Sequence, residues 1–230
     1  MKQATIAIIV TAILVILGGW AYFSASRGPV EPLSEAQQRV LDVQDDRLTK
    51  SSPDAPVKMV EYADILCPYC AKAHEDVIAP IEDDYIAKDQ LHYEVRLIAT
   101  IAPDSERAAE GAYCAAEQNK FWPYLDKAYA DSWNNHYSQN ESPQDVEMFG
   151  ADKIVAFADS VGVNLPQWQK CMDDGEYKAA IAANQAKMSE LQAYGTPHFI
   201  INGANYNGAP PYASFKAVID AELNKVEANR

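Results

Sequence analysis

Cys67 and Cys70 stand one helical turn apart in the stretch DILCPYCAKAHE, with Pro68 and Tyr69 between them. Two thiols at this spacing can grip a metal, staple a turn or exchange electrons with other thiols. A zinc site needs two more ligands; His74 offers one, and neither a second CxxC nor a histidine pair lies near it. A disulfide across two residues closes too short a loop to restrain much of the unfolded chain. The favoured chemistry is therefore redox, with no metal ligated. No nucleotide or flavin fingerprint is present, so no cofactor is expected and the two sulfurs suffice.

The neighbouring elements assign the roles. A strand ending near Ile65 and a helix beginning at Pro68 put Cys67 at the helix N-cap, where proline at the first position loses no hydrogen bond. The N–H groups of Tyr69 and Cys70 then face the Cys67 sulfur, and the helix dipole favours a thiolate there. Its pKa should fall below the ~8.5 of a free thiol. Cys70 sits one turn in, shielded but within disulfide reach. Cys67 is expected to react with partners and Cys70 to resolve the mixed disulfide. Glu61 precedes them on a strand read as buried, where an unpaired acid is costly. Burial would raise its pKa toward neutrality and suit it to accept the Cys70 proton. The alternative is an edge-strand glutamate facing water or pairing with Lys58. Asp64 reads as a turn former and His74 as a solvent-facing helix residue.

Along the chain, VKMVEYADI (57–65) and LHYEVRLIA (91–99) read as strands, parallel to each other through a crossover helix. That helix runs from Pro68 with Val77, Ile78, Ile81 and Tyr85 on one side, and Pro80 should kink or divide it. Helical stretches follow near 104–131, 150–161, 166–173 and 176–194. Their aromatic residues Phe121, Trp122, Tyr124 and Trp133 read as packing. Cys114 and Cys171 lie in this block without a second CxxC, which favours a structural disulfide joining two helices; a second redox relay pair is the alternative. A strand at 198–202, an Asn-Gly turn and a short strand at 205–207 come next. A final amphipathic helix from about Pro211 closes the chain, with Phe215, Ile219 and Leu223 on its apolar face. Thr196–Pro197 stands just before the 198–202 strand.

Taken together, VEYADILCPYC, CAAEQNKFWPYLDKAY and GTPHFIING resemble the DsbA-like thiol–disulfide oxidoreductases of the thioredoxin superfamily, over about residues 52–228. The resemblance implies an α/β thioredoxin fold, a mixed central sheet flanked by helices, with an inserted all-helical domain. Residues 56–100 and 191–230 would form the thioredoxin-fold domain and 101–190 the insertion. It also implies a cis peptide at Thr196–Pro197 beside the CxxC, in a loop that offers backbone hydrogen bonds to an extended substrate. An acid matching Glu61 would shuttle the resolving cysteine's proton. CPYC departs from the dipeptide of the best-known oxidants and is similar to that of glutaredoxins, so the direction of electron flow stays open. A reductase or isomerase of the same fold is the alternative, and a non-catalytic binding module a more distant one.

From Ala4 to Phe23 the chain carries no charge, about the length of helix needed to cross ~30 Å of hydrocarbon. Lys2 before it and Trp20 and Tyr22 near its end fit an uncleaved anchor over 1–23 with the rest outside the cytoplasm. A cleaved signal peptide is the competing reading, and both export the domain. Residues 24–55 read as a tether. Four cysteines in an exported chain fit persistent disulfides. The net charge of −14 argues against nucleic acid or an anionic membrane surface as main partner. The expected partners are reduced or unfolded exported proteins and a membrane redox partner that reoxidises the pair. The expected state is a monomer.

Overall fold

The computed structural model describes residues 45–228. The expected anchor over 1–23 and the tether up to residue 44 lie outside them. Among the described residues no helix is long and apolar enough to cross a membrane.

The sheet is mixed, in the order β1-β3-β2-β4-β5. Strand β2 (Val57–Ala63) is central, rich in β-branched and aromatic residues that suit a pleated, buried position. It pairs in parallel with β3 (Leu91–Leu97), from Val57 opposite Leu91 to Ala63 opposite Leu97. On its other side it runs antiparallel to β4 (His198–Ile201), which continues into β5 (Ala204–Asn207). Asn202 and Gly203 make that hairpin turn with φ of 44° and 84°, the left-handed backbone a two-residue turn demands. One face of the sheet carries Met59, Ala63, Tyr93 and Phe199 into the main core. The other carries Val60, Tyr62 and Ile200 into a second, smaller core.

Residues 45–50 correct the expectation of a tether reaching 55. Thr49–Lys50 form the edge strand β1, antiparallel to β3. Leu48 is buried, and Trp122 donates its indole N–H to the Thr49 carbonyl at 3.2 Å. The polar, acidic run here hides one apolar anchor, and the backbone of β3 supplies the pairing.

After β2 the chain enters α1 (Pro68–Ala73), a π turn (His74–Ile78) and α2 (Ala79–Asp84) without a break. Pro80 near the start of α2 explains the π turn. Proline has no N–H to give and its ring crowds the preceding carbonyl, and one wide turn absorbs both. Between β3 and β4 lie α3 (Ser105–Ala116), α4 (Phe121–Asn135), α5 (Ala151–Ser160), α6 (Leu165–Asp174) and α7 (Lys178–Glu190). The expected 104–131 helix is thus two, because Asn119 adopts φ of 56° and ends the first. Cys114 on α3 is bonded to Cys171 on α6, with Cα atoms 5.8 Å apart. A crosslink closing so long a loop contributes about 2–4 kcal/mol. Helix α8 (Tyr212–Ala228) seats Phe215 and Ile219 in the main core, with Phe215 edge-on to Phe199.

Candidate active site

Cys67 is the N-cap of α1. Its backbone is extended (φ −84°, ψ 117°) and its sulfur accepts the Cys70 N–H at 3.3 Å. Pro68 opens the helix. The Cys67 thiol points at the Thr196 carbonyl oxygen, 3.4 Å away, and the Thr196–Pro197 peptide is cis. The strand–helix junction and the loop before β4 therefore meet at one sulfur. Both thiols are unbonded in this structure and buried. The Cys70 thiol foremost, then the Thr196 side chain and the N–H groups of Cys70 and Tyr69, outweigh burial and hold the Cys67 thiol below its ordinary pKa. Cys70 has the opposite environment: burial, and then the Cys67 and Glu61 charges, push its thiol well up.

Behind the pair, β2 and β3 bring Glu61 and Tyr93 to the same face of the sheet. Glu61 is 3% exposed, and the Tyr93 hydroxyl donates to its carboxylate. Burial dominates and raises the Glu61 carboxyl from 4.5 to about 7, against the Tyr93 hydrogen bond and the pull of His74. The acid in the folded chain holds a proton that the unfolded chain has already released. Its stabilising contribution is complete below pH 4.5 and is lost as pH rises through about 7. That span corresponds to about 3 kcal/mol. Glu61→Gln is expected to flatten the fall in stability over this window, read by urea unfolding at a series of pH values. An unchanged slope would mean that Glu61 is not held protonated.

Some residues of the site carry no obvious mark in the sequence. Asp64 is fully buried and accepts hydrogen bonds from the N–H groups of Leu66, Thr100 and Ile101 and from the Ser105 hydroxyl, at 2.7–2.9 Å. Tyr137 donates its hydroxyl to the Leu66 carbonyl at 2.7 Å. These contacts fix the turn that presents Cys67. Tyr69 and Tyr194 are the exposed large hydrophobic side chains among the described residues, at 73% and 80%. Tyr69 lies between the cysteines and Tyr194 just before the cis-proline loop. Only Tyr69 was legible, from its place inside CPYC.

The geometry is matched by kinship. The sequence model of the thioredoxin family matches residues 46–221. The chain belongs to that family, and within it is similar to DsbA-like proteins. A probable disulfide bond formation protein D of Bacillus cereus is 27% identical over 176 residues, 75% of this chain and 76% of that protein. The crystal structure of alpha-DsbA1 from Wolbachia pipientis superposes with a TM-score of 0.68 at 21% identity, covering 84% of this chain and 98% of that one. A Na(+)/H(+) antiporter NhaA 3 of Salinispora tropica is 29% identical over 222 residues, 92% of this chain but 31% of the antiporter. So small a share of the antiporter carries no transport activity over to this chain. This DsbA-like chain is a thiol–disulfide oxidoreductase, and the mixed sheet with helices inserted between β3 and β4 is the thioredoxin fold of that family.

Proposed function

We propose that this oxidoreductase works as an oxidant of protein thiols outside the cytoplasm, tethered by an N-terminal anchor over residues 1–23. The observation that carries the direction is the unequal setting of the two sulfurs. Cys67 receives the Cys70 N–H at 3.3 Å at a helix N-terminus, and its thiol is held low. Stabilising the reduced form in this way makes the disulfide form the stronger oxidant.

A substrate thiolate attacks the Cys67 sulfur of the Cys67–Cys70 disulfide, and the electron pair leaves on Cys70. Glu61 gives its proton to the Cys70 thiolate. A second substrate thiolate then attacks the substrate sulfur of the mixed disulfide and expels the Cys67 thiolate. The substrate gains a disulfide and the enzyme is left reduced, with Cys67 a thiolate and one proton on Cys70. The Thr196–Pro197 loop aligns the extended substrate beside Cys67, and Tyr69 and Tyr194 supply apolar contact on either side. Cys114–Cys171, on helices apart from this loop, is structural. The substrates are reduced or unfolded exported proteins, and a membrane partner with its own disulfide takes the electrons back.

Equilibrating the full chain in glutathione buffers and trapping its thiols measures the potential. A value above about −180 mV is expected, and one near −270 mV would make the chain a reductase.

A further inference from the structure

Proton transfer at Cys70 requires a path to water, yet Cys70 is fully buried and Glu61 only 3% exposed. His74 lies one turn beyond Cys70, on the same side of the helix. Its helical spacing predicts a solvent-facing residue, but its side chain is only 18% exposed. Its Nε2 meets the Asp126 carboxylate at 2.8 Å, while Asp126 itself is half in solvent. Its other nitrogen, Nδ1, is buried and has no hydrogen-bond partner among the described residues. Tyr129, one turn from Asp126 on α4, packs its ring against the imidazole at 5.3 Å between centroids. The Tyr129 hydroxyl is likewise buried without a partner, and the charges of Cys70, Glu61, Tyr93 and Cys67 all bear on it. Buried polar atoms ordinarily have partners, from protein or ordered water. Both unpartnered atoms belong to side chains whose rings pack together, and the buried Glu61 interacts electrostatically with each residue.

We propose that His74, held by Asp126, is the proton outlet of the buried Cys70–Glu61 pair. The inference rests on the redox reading of Cys67 and Cys70 and adds the route between that site and bulk water. Imidazole suits the task because it takes and gives protons near neutral pH. Thiol–disulfide exchange is reversible, so the path is clearest as the mixed disulfide is resolved. Glu61 takes the Cys70 proton, the Cys70 thiolate attacks the Cys67 sulfur, and the departing thiolate carries away the electron pair of the broken bond. The proton moves from the Glu61 carboxyl to His74 Nδ1. His74, oriented by its contact with Asp126, passes it on to water. The groups facing this path are Glu61 on β2, Tyr93 on β3, Asp126 and Tyr129 on α4, and Cys70 and Glu75 on the helix of His74 itself. Lys72 on that helix is paired with Asp76. On the outer side His74, Asp126, Tyr129 and Trp133 line a cleft of about 330 Å³, which admits small buffer molecules to the imidazole.

The cleft makes a decisive experiment available. The reduced full chain is mixed with oxidised glutathione, and the mixed disulfide on Cys67 is followed by acid quenching. In His74→Ala, attack by Cys67 should keep its rate, whereas resolution by Cys70 should slow by roughly tenfold near neutral pH. Added imidazole should enter the vacated space and restore resolution in proportion to its concentration. Asp126→Asn, at a half-exposed position, should slow resolution less and shift its pH profile. Resolution in His74→Ala at the unaltered rate would overturn the outlet, as would a slow rate that imidazole leaves unchanged. Failure of the unaltered chain to form any mixed disulfide would overturn the redox reading itself, a result distinct from normal resolution without His74.

Discussion

Cys67→Ser is expected to abolish disulfide transfer to a reduced protein, a fall of at least about a thousandfold, while Cys70→Ser accumulates mixed disulfide with substrate. The asymmetry follows from position. Cys67 meets Thr196 at the meeting point of the helix N-terminus and the cis-proline loop, whereas Cys70 is fully buried. Without Cys67 no sulfur stands at the cis-proline loop to be attacked. Without Cys70, the adduct on Cys67 has no neighbour to release it. Non-reducing electrophoresis after incubation with a reduced, unfolded protein separates the two results. Equal activity in both variants and the unaltered chain would remove the pair from the reaction.

Asp64→Ala is expected to cost about 4 kcal/mol of stability, read as a lowered urea midpoint. Its carboxylate takes four hydrogen bonds from buried or half-buried donors, and each donor left unsatisfied costs about 1–3 kcal/mol, though not additively. Asparagine is no remedy. Both oxygens accept two bonds each, so an amide turned one way sets its NH2 against the N–H groups of Thr100 and Ile101, and turned the other against that of Leu66, where only the Ser105 hydroxyl can turn to accept. Asp64→Asn should therefore lose nearly as much. The loss should also loosen the turn before Cys67 and alter the rate at which its thiol is alkylated. A midpoint within experimental error of the unaltered chain would show that water replaces the carboxylate without cost.

The sequence carried the order of elements because strands and helices here follow their periodicities, and Asn202–Gly203 is a turn with a steric reason. It carried the reactive pair because strand, CxxC and N1 proline together leave Cys67 one place to be. It did not carry what depends on distant partners. LHYEVRLIA alternates polar with apolar residues, as a half-exposed strand does, yet all of β3 is buried. Glu94 and Arg96 on its second face pair with each other at 2.7 Å instead of meeting water. Asp64 looked like a turn former because its turn is local, while most of its ligands lie across the fold at 100–105. His74 looked exposed because helical spacing does not reveal that α4 brings Asp126 and Tyr129 over it. The edge strand β1 escaped notice because two residues of β pairing leave no periodic trace.

The bond between Cys114 and Cys171 has a bearing on how such a molecule comes into being. An enzyme proposed to hand disulfides to others contains one that it does not hand on. Every newly made copy must therefore receive two oxidising equivalents for its frame in addition to those that charge its Cys67–Cys70 pair. Its maturation belongs to the same traffic it serves, and each new copy is a client of older ones or of whatever recharges them.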